Sequence, residues 1–280
     1  MSGVLYIVAT PIGNLNDISL RAIEILKQVD VIAAEDTRHS IRLLNHLGIR
    51  NKLMSLHEHN ERDRIVGIID DLKQGNNIAL ISDAGTPLIS DPGYPLVKAV
   101  QDAGLRVSPI PGVSSIIAAL SAAGMPTDPF TFYGFLSQKN SERLSKLSAL
   151  RQQQGTLVFL ESTHRIERLL EQLCELYANN RIVVAKELTK AFERFMSGTP
   201  AEILLLMQQE PALKKGEFVV LIDNPVTISE KALSDEDIEI LKLLLEDLPL
   251  KKAVQLSTRI SGKKKNDIYQ RALELNKPVS

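Results

Sequence analysis

A short apolar run followed by a loop rich in Gly and Pro is the first feature of the chain that suggests chemistry. Ile78–Ser82 is typical of a buried strand, and it leads into Asp83-Ala84-Gly85-Thr86-Pro87 and then Ser90-Asp91-Pro92-Gly93. In an open α/β sheet, ligands collect where loops leave the carboxyl ends of the strands. Gly and Pro fix the backbone of such a loop. The same pattern is also typical of a plain turn, so a binding role needs support from elsewhere in the chain.

A second loop of this kind follows the apolar stretch 106–110 and reads Pro111-Gly112-Val113-Ser114-Ser115. An apolar helix is expected to begin there and to end at Gly124. Two Ser in the first turn place hydroxyls and free N–H groups at the positive end of that helix, which suits a polar or anionic ligand group. Ser114 as a simple helix cap is an equally good interpretation.

Strand–loop–helix units repeat through the first hundred residues. Helices separate the strands, and the first of these helices is expected to be capped by Asn16 or Asp17. This alternation predicts a parallel sheet with right-handed crossovers, which places the strand-end loops along one edge. We expect an N-terminal α/β domain over residues 1–115, with strands at 4–9, 30–34, 53–56, 78–82 and 106–110.

The pattern of strands and helices predicted from the sequence changes in the part of the chain after residue 115. An aromatic, alternating stretch at 130–136 is followed by further strand and helix patterns, with more hairpin-like character than before. We expect a second α/β domain over residues 116–226, with strands at 130–136, 156–161, 181–186, around 192–196 and at 216–222.

The last part of the chain, residues 235–280, is expected to be a small helical module. Three helical pieces are predicted: Asp235–Leu248, Leu250–Ile260 and Lys264–Leu275, with a turn at Ser261-Gly262. The short helix, the Gly turn and the basic start at Lys263-Lys264-Lys265 are similar to a helix-turn-helix module. A basic cluster is equally typical of a solvated helix face.

Composition narrows the class of protein. The formal net charge of −1 over 280 residues excludes a globally basic nucleic-acid binder, and the single cysteine, Cys174, excludes an internal disulfide. The chain has no apolar run long enough to cross a membrane and no basic, apolar leader, so we expect a cytoplasmic protein without a membrane partner. Phosphate-loop and dinucleotide-binding motifs are absent. His57 and His59 lack a third ligand at suitable spacing, so no metal site is predicted.

Seven motifs in collinear order carry a resemblance to one family. They are TPIGN at 10–14, AAEDTR at 33–38, SDAGTPLISDPG at 82–93, IPGVSS at 110–115, FYGFL at 132–136, FLESTHR at 159–165 and AKELTK at 185–190. Together they resemble the ribosomal RNA small subunit methyltransferase I family, which has the tetrapyrrole-methylase-like fold. The resemblance extends over essentially the whole chain. The sequence differs from the family pattern at Val113, a position where the family commonly has Pro.

The resemblance implies a fold of two α/β domains with a cofactor cleft between them and S-adenosyl-L-methionine as the methyl donor. It also implies methylation of a cytidine ribose 2′-hydroxyl in the decoding region of 16S rRNA, with small-subunit rRNA or the 30S subunit as partner, and a homodimer. The cofactor residues that it implies are Pro11, Asp83, Ala84, Gly85, Thr86, Pro87, Pro111, Gly112, Ser114, Ser115, Gly134, Phe135, Leu136, Leu160 and Leu188.

A ribose hydroxyl is a weak nucleophile, so a general base would assist the transfer. Four strand-end residues are the main candidates, Glu35, Asp36, Lys186 and Glu187, and His39 and Glu161 are further candidates on loops of the same kind. Each also fits a helix cap or a local ion pair, and the choice stays open. Expected phosphate contacts are Arg38, Arg42, Arg165, Lys190, Lys263, Lys264 and Lys265.

Two other functions remain open from the sequence. One is a methylase of a tetrapyrrole precursor, because the fold is shared; the added basic helical module argues against it. The other is a non-catalytic RNA-binding or ribosome-assembly protein, which would leave the loops at 78–95 and 110–115 without a ligand.

Overall fold

The computed structural model describes residues 2–225, 233 and 235–275. The chain divides into two compact units, Met1–Asn224 and Pro225–Ser280, and each is treated by itself. The first unit contains two sheets, one on each side of the boundary expected at residue 115. Residue 226, the expected end of the second domain, and residues 276–280 of the expected helical module lie outside the described residues.

The first sheet is fully parallel, as the sequence predicts. Its strands are β1 (Val4–Val8), β2 (Val31–Ala34), β3 (Lys52–Ser55), β4 (Ile78–Ile81) and β5 (Arg106–Ile110), in the order β3-β2-β4-β1-β5. Helices α1 (Leu20–Gln28), α2 (Thr37–His46), α3 (Glu61–Lys73) and α4 (Tyr94–Asp102) connect them. The central strands β2 and β4 are buried on both faces, which explains their continuous apolar sequence.

The expected cap of the first helix is wrong. The side chain of Asn14 accepts a hydrogen bond from the N–H of Asn16 and starts a short 3-10 helix, Leu15–Asp17. The chain extends again before α1, and the hydroxyl of Ser19 accepts from the N–H of Ala22. The local hydrogen bond of Asn14 therefore delays the α-helix by one turn.

The second sheet is mixed. Its strands are β6 (Phe130–Phe135), β7 (Gly155–Ser162), β8 (Ile182–Lys186), β9 (Arg194–Gly198) and β10 (Glu217–Asn224), in the order β6-β7-β10-β8-β9. Only β6 and β7 pair in parallel; the other pairs are antiparallel, which confirms the hairpin-like character. The helices of this half are α5 (Ser115–Ala122), α6 (Asn140–Leu150), α7 (Ile166–Leu176) and α8 (Pro200–Gln209).

The two halves of the first unit share a hydrophobic cluster. Helix α5 buries Ile116, Ala119 and Leu120 against one face of the second sheet. Ile12, from the loop after β1, joins this cluster together with Leu188. Burial of this Ile side chain contributes about 1.5–3 kcal/mol and holds the loop of the first half against the second half.

The second unit consists of three helices around a small core. They are α9 (Asp235–Asp247), α10 (Leu250–Ser261) and α11 (Lys265–Leu275), so the three predicted helical pieces are confirmed within a residue or so. Their contact buries Leu241, Val254, Ile268 and Ala272. Gly262, at a φ of 68°, ends α10 in the left-handed conformation that Gly adopts without strain. Within the described part of the chain, every helix is too short or too polar to cross a bilayer.

The loops after β1 and β5 approach each other closely. A Cβ atom at Gly112 would lie 2.8 Å from the Cβ of Ala9, which is closer than carbon atoms pack. Gly67, inside α3, has open space at the same position.

We therefore expect Gly112→Ala to lower the free energy of unfolding by about 1–3 kcal/mol, because the added methyl group forces the two loops apart. The matched variant Gly67→Ala is expected to raise it by about 0.5–1 kcal/mol, since Ala favours a helix. Urea denaturation of both variants measures this, and equal effects would contradict the close approach.

Candidate functional site

Three strand-end loops of the first sheet are fastened to one another by hydrogen bonds. Thr10 and Gly85 exchange both backbone N–H···O bonds, at 2.9 and 3.0 Å. The hydroxyl of Thr10 also donates to the carbonyl of Ser82 at 3.1 Å. The hydroxyl of Thr86 donates to the carbonyl of Val113 at 3.0 Å. The loops after β1, β4 and β5 therefore form one rigid edge.

A cavity of about 390 Å³ opens between this edge and the second sheet. Its volume lies within the range of small-molecule sites. The first half contributes Ile12, Glu35, Asp83, Ala84, Ile89, Ser90 and Asp91. The second half contributes Ser115, at the start of α5, and Phe135, Leu160, Glu161, Ser162, Leu188, Glu217, Phe218 and Val219.

Carboxylates line the first-half side of the cavity. Asp83 accepts a hydrogen bond from the N–H of Asp36 at 3.2 Å. Burial, reinforced by the negative charges of Glu35 and Asp83, raises the pKa of Asp91 to about 6 despite a hydrogen bond from Ser82. Burial and the charge of Asp83 also raise the pKa of Glu35. Grouped carboxylates that resist ionisation favour a cationic ligand, because a positive charge relieves their repulsion.

The second-half side is mostly apolar. Leu160, Leu188 and Val219 supply aliphatic surface, and Phe135 is more than half exposed toward solvent. Glu161 interrupts this surface with a fully buried carboxylate whose Oε1 lies 3.1 Å from Nε of Arg165. The cavity thus combines an acidic side with an apolar side.

Strained backbone lies on both sides of the cavity. Leu88 and Ser90 follow β4 with φ values of 73° and 71°, and Glu187 and Thr189 follow β8 at 51° and 64°. Residues other than Gly adopt this region at a cost of about 1–3 kcal/mol and tend to do so at functional sites. A Cβ at Gly134 would lie 3.0 Å from the hydroxyl of Ser90, so β6 and the β4 loop are in close approach.

The expected cofactor residues fall into two groups. Those that line the cavity are Asp83, Ala84, Ser115, Phe135, Leu160 and Leu188. The others shape its walls: Gly85, Thr86 and Gly112 join the loops, and Pro11 lines a smaller neighbouring cavity with His39. Ser114 precedes α5 without a side-chain capping bond. Outside the main cavity are Pro11, Gly85, Thr86, Pro87, Pro111, Gly112, Ser114, Gly134 and Leu136.

The four main base candidates have different surroundings. Glu35 lines the cavity. Asp36 caps α2 and forms an ion pair with Arg38, whose hydrogen bonds hold the pKa of Asp36 well below its usual range. Lys186 is buried but does not line the cavity. Glu187 accepts hydrogen bonds from Lys190 and from the N–H of Glu217. Burial alone would raise the pKa of Glu187, but these bonds leave it lowered.

Several expected phosphate contacts are engaged within the protein. Lys190 bridges Glu187 and Glu217, and the guanidinium of Arg165 lies between Glu161 and the carbonyl of Leu136. Arg42 is exposed, and Arg38 is exposed but paired with Asp36. In the second unit, Lys264 and Lys265 are exposed and Lys263 is half-buried, where α10 turns into α11.

Sequence reasoning missed Asp91 and Glu217 among the cavity residues. Asp91 lies in the same loop as Asp83, eight residues further along the chain. Its place in that Gly- and Pro-rich loop is the sequence feature that could have identified it. Glu217 reaches the cavity only because β10 pairs with β7, with Glu217 opposite Ser162. Among the residues that the structure describes, no group of three or more His, Cys, Asp and Glu is arranged to hold a metal ion.

Comparison with known proteins defines the class. Residues 4–204 match the family model for Tetrapyrrole (Corrin/Porphyrin) Methylases, and residues 231–276 match the RsmI C-terminal HTH domain. A uroporphyrin-III-C-methyltransferase from Thermus thermophilus has a similar structure, with a TM-score of 0.56 and 21% identity over 79% of this chain and 95% of that one. A diphthine synthase reaches 0.61 with 15% identity over 86% of this chain and 95% of that one. At these identities the likeness shows the fold, and the family match over residues 4–204 defines the class as a tetrapyrrole methylase.

Closer relatives are similar over nearly the full length. Proteins named Ribosomal RNA small subunit methyltransferase I are 46% identical in Haemophilus influenzae, over 96% of both chains, and 47% in Pseudomonas aeruginosa, over 98% of both. The chain therefore belongs to the ribosomal RNA small subunit methyltransferase I family, within the tetrapyrrole methylases.

S-adenosylmethionine is the methyl donor of this family and of this chain. The cavity residues fit such a donor. Glu35, Asp83 and Asp91 match its positive charge, and Leu160 and Leu188 offer an apolar surface for its adenosyl part. When bound, the donor supplies a methyl group that is already activated by a positive sulfur.

The raised pKa of Asp91 predicts a pH dependence of stability. Unfolded Asp91 loses its proton above a pKa of 3.8, whereas the folded protein keeps it up to about 6. The free energy of unfolding of the wild type, relative to Asp91→Asn, should therefore fall as the pH rises from about 4 to about 6 and then level off.

Urea denaturation between pH 4 and pH 7 measures this difference. The control variant Asp70→Asn, at an exposed position of α3, should give no such trend. A difference between wild type and Asp91→Asn that is independent of pH would contradict the assignment.

Proposed function

We propose that this chain methylates the 2′-hydroxyl of a cytidine ribose in the decoding region of small-subunit (16S) ribosomal RNA. The observation that carries the proposal is the near full-length similarity, across both units, to proteins named for methylation of small-subunit ribosomal RNA. The small subunit or its RNA is then the substrate, and S-adenosylmethionine is the donor.

The first unit supplies alignment rather than covalent chemistry. Transfer between a sulfonium and an oxygen requires the oxygen, the methyl carbon and the sulfur to lie in line, and positioning contributes much of such a rate. The fastened loops at Thr10, Gly85 and Thr86 keep the acidic side of the cavity in place. The apolar side at Leu160 and Leu188 excludes water from the bound donor.

The second unit supports RNA binding. A helix, a Gly turn and a helix with a basic start are the elements of a helix-turn-helix module. Tyr269, on α11, is 42% exposed and offers a ring on which a base can stack. Lys263, Lys264 and Lys265 bring positive charge to the start of the same helix.

A homodimer, implied by the resemblance, and a cytoplasmic location, expected from the sequence pattern, belong to the same proposal. Sedimentation equilibrium of the purified chain tests the first, with a mass of twice 31.0 kDa as the expected result. Fractionation of cells that produce the chain tests the second.

A methylase of a tetrapyrrole precursor is the second candidate, and the structural likeness to tetrapyrrole methyltransferases favours it. The structural match to the uroporphyrin-III-C-methyltransferase covers 95% of that protein but only 79% of this chain. A fifth of this chain therefore has no counterpart in that likeness, and the helix-turn-helix match lies at residues 231–276. An enzyme that methylates a small macrocycle has no evident use for a helix-turn-helix segment at residues 231–276.

Labelled S-adenosylmethionine separates the candidates. Incubation with small subunits should place label in their RNA, and nuclease digestion should recover it as 2′-O-methylcytidine. A uroporphyrinogen substrate should stay unlabelled in a parallel reaction. Label in the macrocycle and none in RNA would refute the proposal in favour of the second candidate.

Replacing Lys263, Lys264 and Lys265 together by Ala should weaken RNA binding and leave the affinity for S-adenosylmethionine unchanged. Each lost phosphate contact lowers the slope of log affinity against log salt by about 0.7–0.9, so a reduction of about 2 is expected. The double variant of Lys251 and Lys252 to Ala, on exposed positions of α10, is the matched control. Equal salt slopes for the triple variant and the wild type would show that these three Lys residues do not contact the RNA.

A further inference from the structure

Glu161 is a buried carboxylate with one oxygen held and one oxygen free. It lies near the end of β7, and its side chain is 0% exposed. Oε1 accepts a hydrogen bond from the N–H of Ser162 at 2.9 Å and lies 3.1 Å from Nε of Arg165. Oε2 is closed to solvent and has no hydrogen-bond donor among the residues that the structure describes. A buried oxygen of this kind is expected to have a partner.

The surroundings fix the orientation of this carboxylate. The guanidinium of Arg165 also donates to the carbonyl of Leu136, at the end of β6. Arg165 is thereby held between β6 and β7 and keeps Oε1 of Glu161 in place. Oε2 is left without a donor, and Glu161 lines the cavity together with Leu160 and Ser162.

The carboxylates across the cavity differ from Glu161 in this respect. Asp83 accepts from the N–H of Asp36, Glu35 accepts from the N–H of Asp83, and Asp91 accepts from Ser82. They are also partly exposed. They are suited to attract a cation, whereas Glu161 is buried on the opposite side and has a free oxygen.

We propose that Oε2 of Glu161 is the general base of the methyl transfer, an inference that rests on the function proposed above. It accepts the proton of the ribose 2′-hydroxyl as that O–H bond breaks. The hydroxyl oxygen forms its new bond to the methyl carbon, and the electron pair of the broken C–S bond stays on sulfur, which becomes neutral. The proton leaves Glu161 for water that enters the cavity once the products have left.

The electrostatics of the residue agree with this role. Burial raises the pKa of Glu161, while Ser162, Arg165 and Arg143 lower it in part. A carboxylate with a raised pKa is a stronger base than an exposed one, and a general base contributes about 10²–10⁴-fold to a rate. The positive charge of Arg165 favours the ionised form of Glu161, which is the form that accepts a proton.

Two substitutions separate a base from a structural anchor. Glu161→Gln keeps the length of the side chain and an oxygen for Ser162 but cannot accept the proton. Glu161→Asp keeps a carboxylate but shortens it. We expect the single-turnover rate of methyl transfer to small subunits to fall by at least about 10²-fold in Glu161→Gln and by only about 10-fold in Glu161→Asp. An anchor would give the opposite order, because Gln preserves the packing better.

Calorimetry with S-adenosylmethionine and thermal denaturation accompany the rate measurements. The affinity of both variants should stay within about threefold of the wild type, and Glu171→Gln, on an exposed position of α7, should react at the wild-type rate. A rate of Glu161→Gln within fivefold of the wild type, or above that of Glu161→Asp, would overturn the base role.

A tenfold loss of donor affinity in a folded Glu161→Gln would also overturn it, and would make Glu161 a contact of the donor. If Glu161→Gln does not fold, Glu161→Asp decides: a wild-type rate overturns the proposal, and a loss with donor affinity retained supports it. If the wild type binds S-adenosylmethionine but labels no small-subunit RNA, the proposed function fails and the base role fails with it. An active wild type with an active Glu161→Gln removes the base role alone.

Discussion

The reciprocal backbone hydrogen bonds between Thr10 and Gly85 are the constraint on which the site depends. They join two loops that leave neighbouring parallel strands, and the hydroxyls of Thr10 and Thr86 extend the connection to Ser82 and Val113. Loops on their own are the most mobile parts of a fold. Here hydrogen bonds tie them into a single edge, which restrains the acidic side of the cavity.

The cavity combines an acidic surface with an apolar surface. Glu35, Asp83 and Asp91 gather negative charge on the first half, where burial and mutual repulsion favour a cation. Leu160 and Leu188 bring apolar surface from the second half. Ile12 belongs to the first half by sequence but is buried in the hydrophobic cluster of the second. The two surfaces are therefore held against each other by packing as well as by the chain.

Much of the fold followed from the sequence because its signals are local. Apolar runs, Gly and Pro located the strands and helices within a few residues, including the three helices of the second unit. The partners of charged side chains could not be predicted from the sequence, because they depend on pairing between strands that are distant along the chain. Glu187 meets Glu217 through β8 and β10, and Arg165 reaches Leu136 through β6 and β7. The sequence predicts the loop at 82–93, but only the structure shows that Oε2 of Glu161 has no hydrogen-bond partner among the described residues.

We expect the fastened loops and the facing apolar wall to bind the methyl donor. A crystal structure of the chain with S-adenosylhomocysteine, the product that remains after transfer, tests this most directly. We expect density for the ligand between Asp83-Ala84 and Leu160, with its sulfur on the acidic side of the cavity. Density at another place on the chain, with the cavity filled by side chains at saturating ligand, would contradict it.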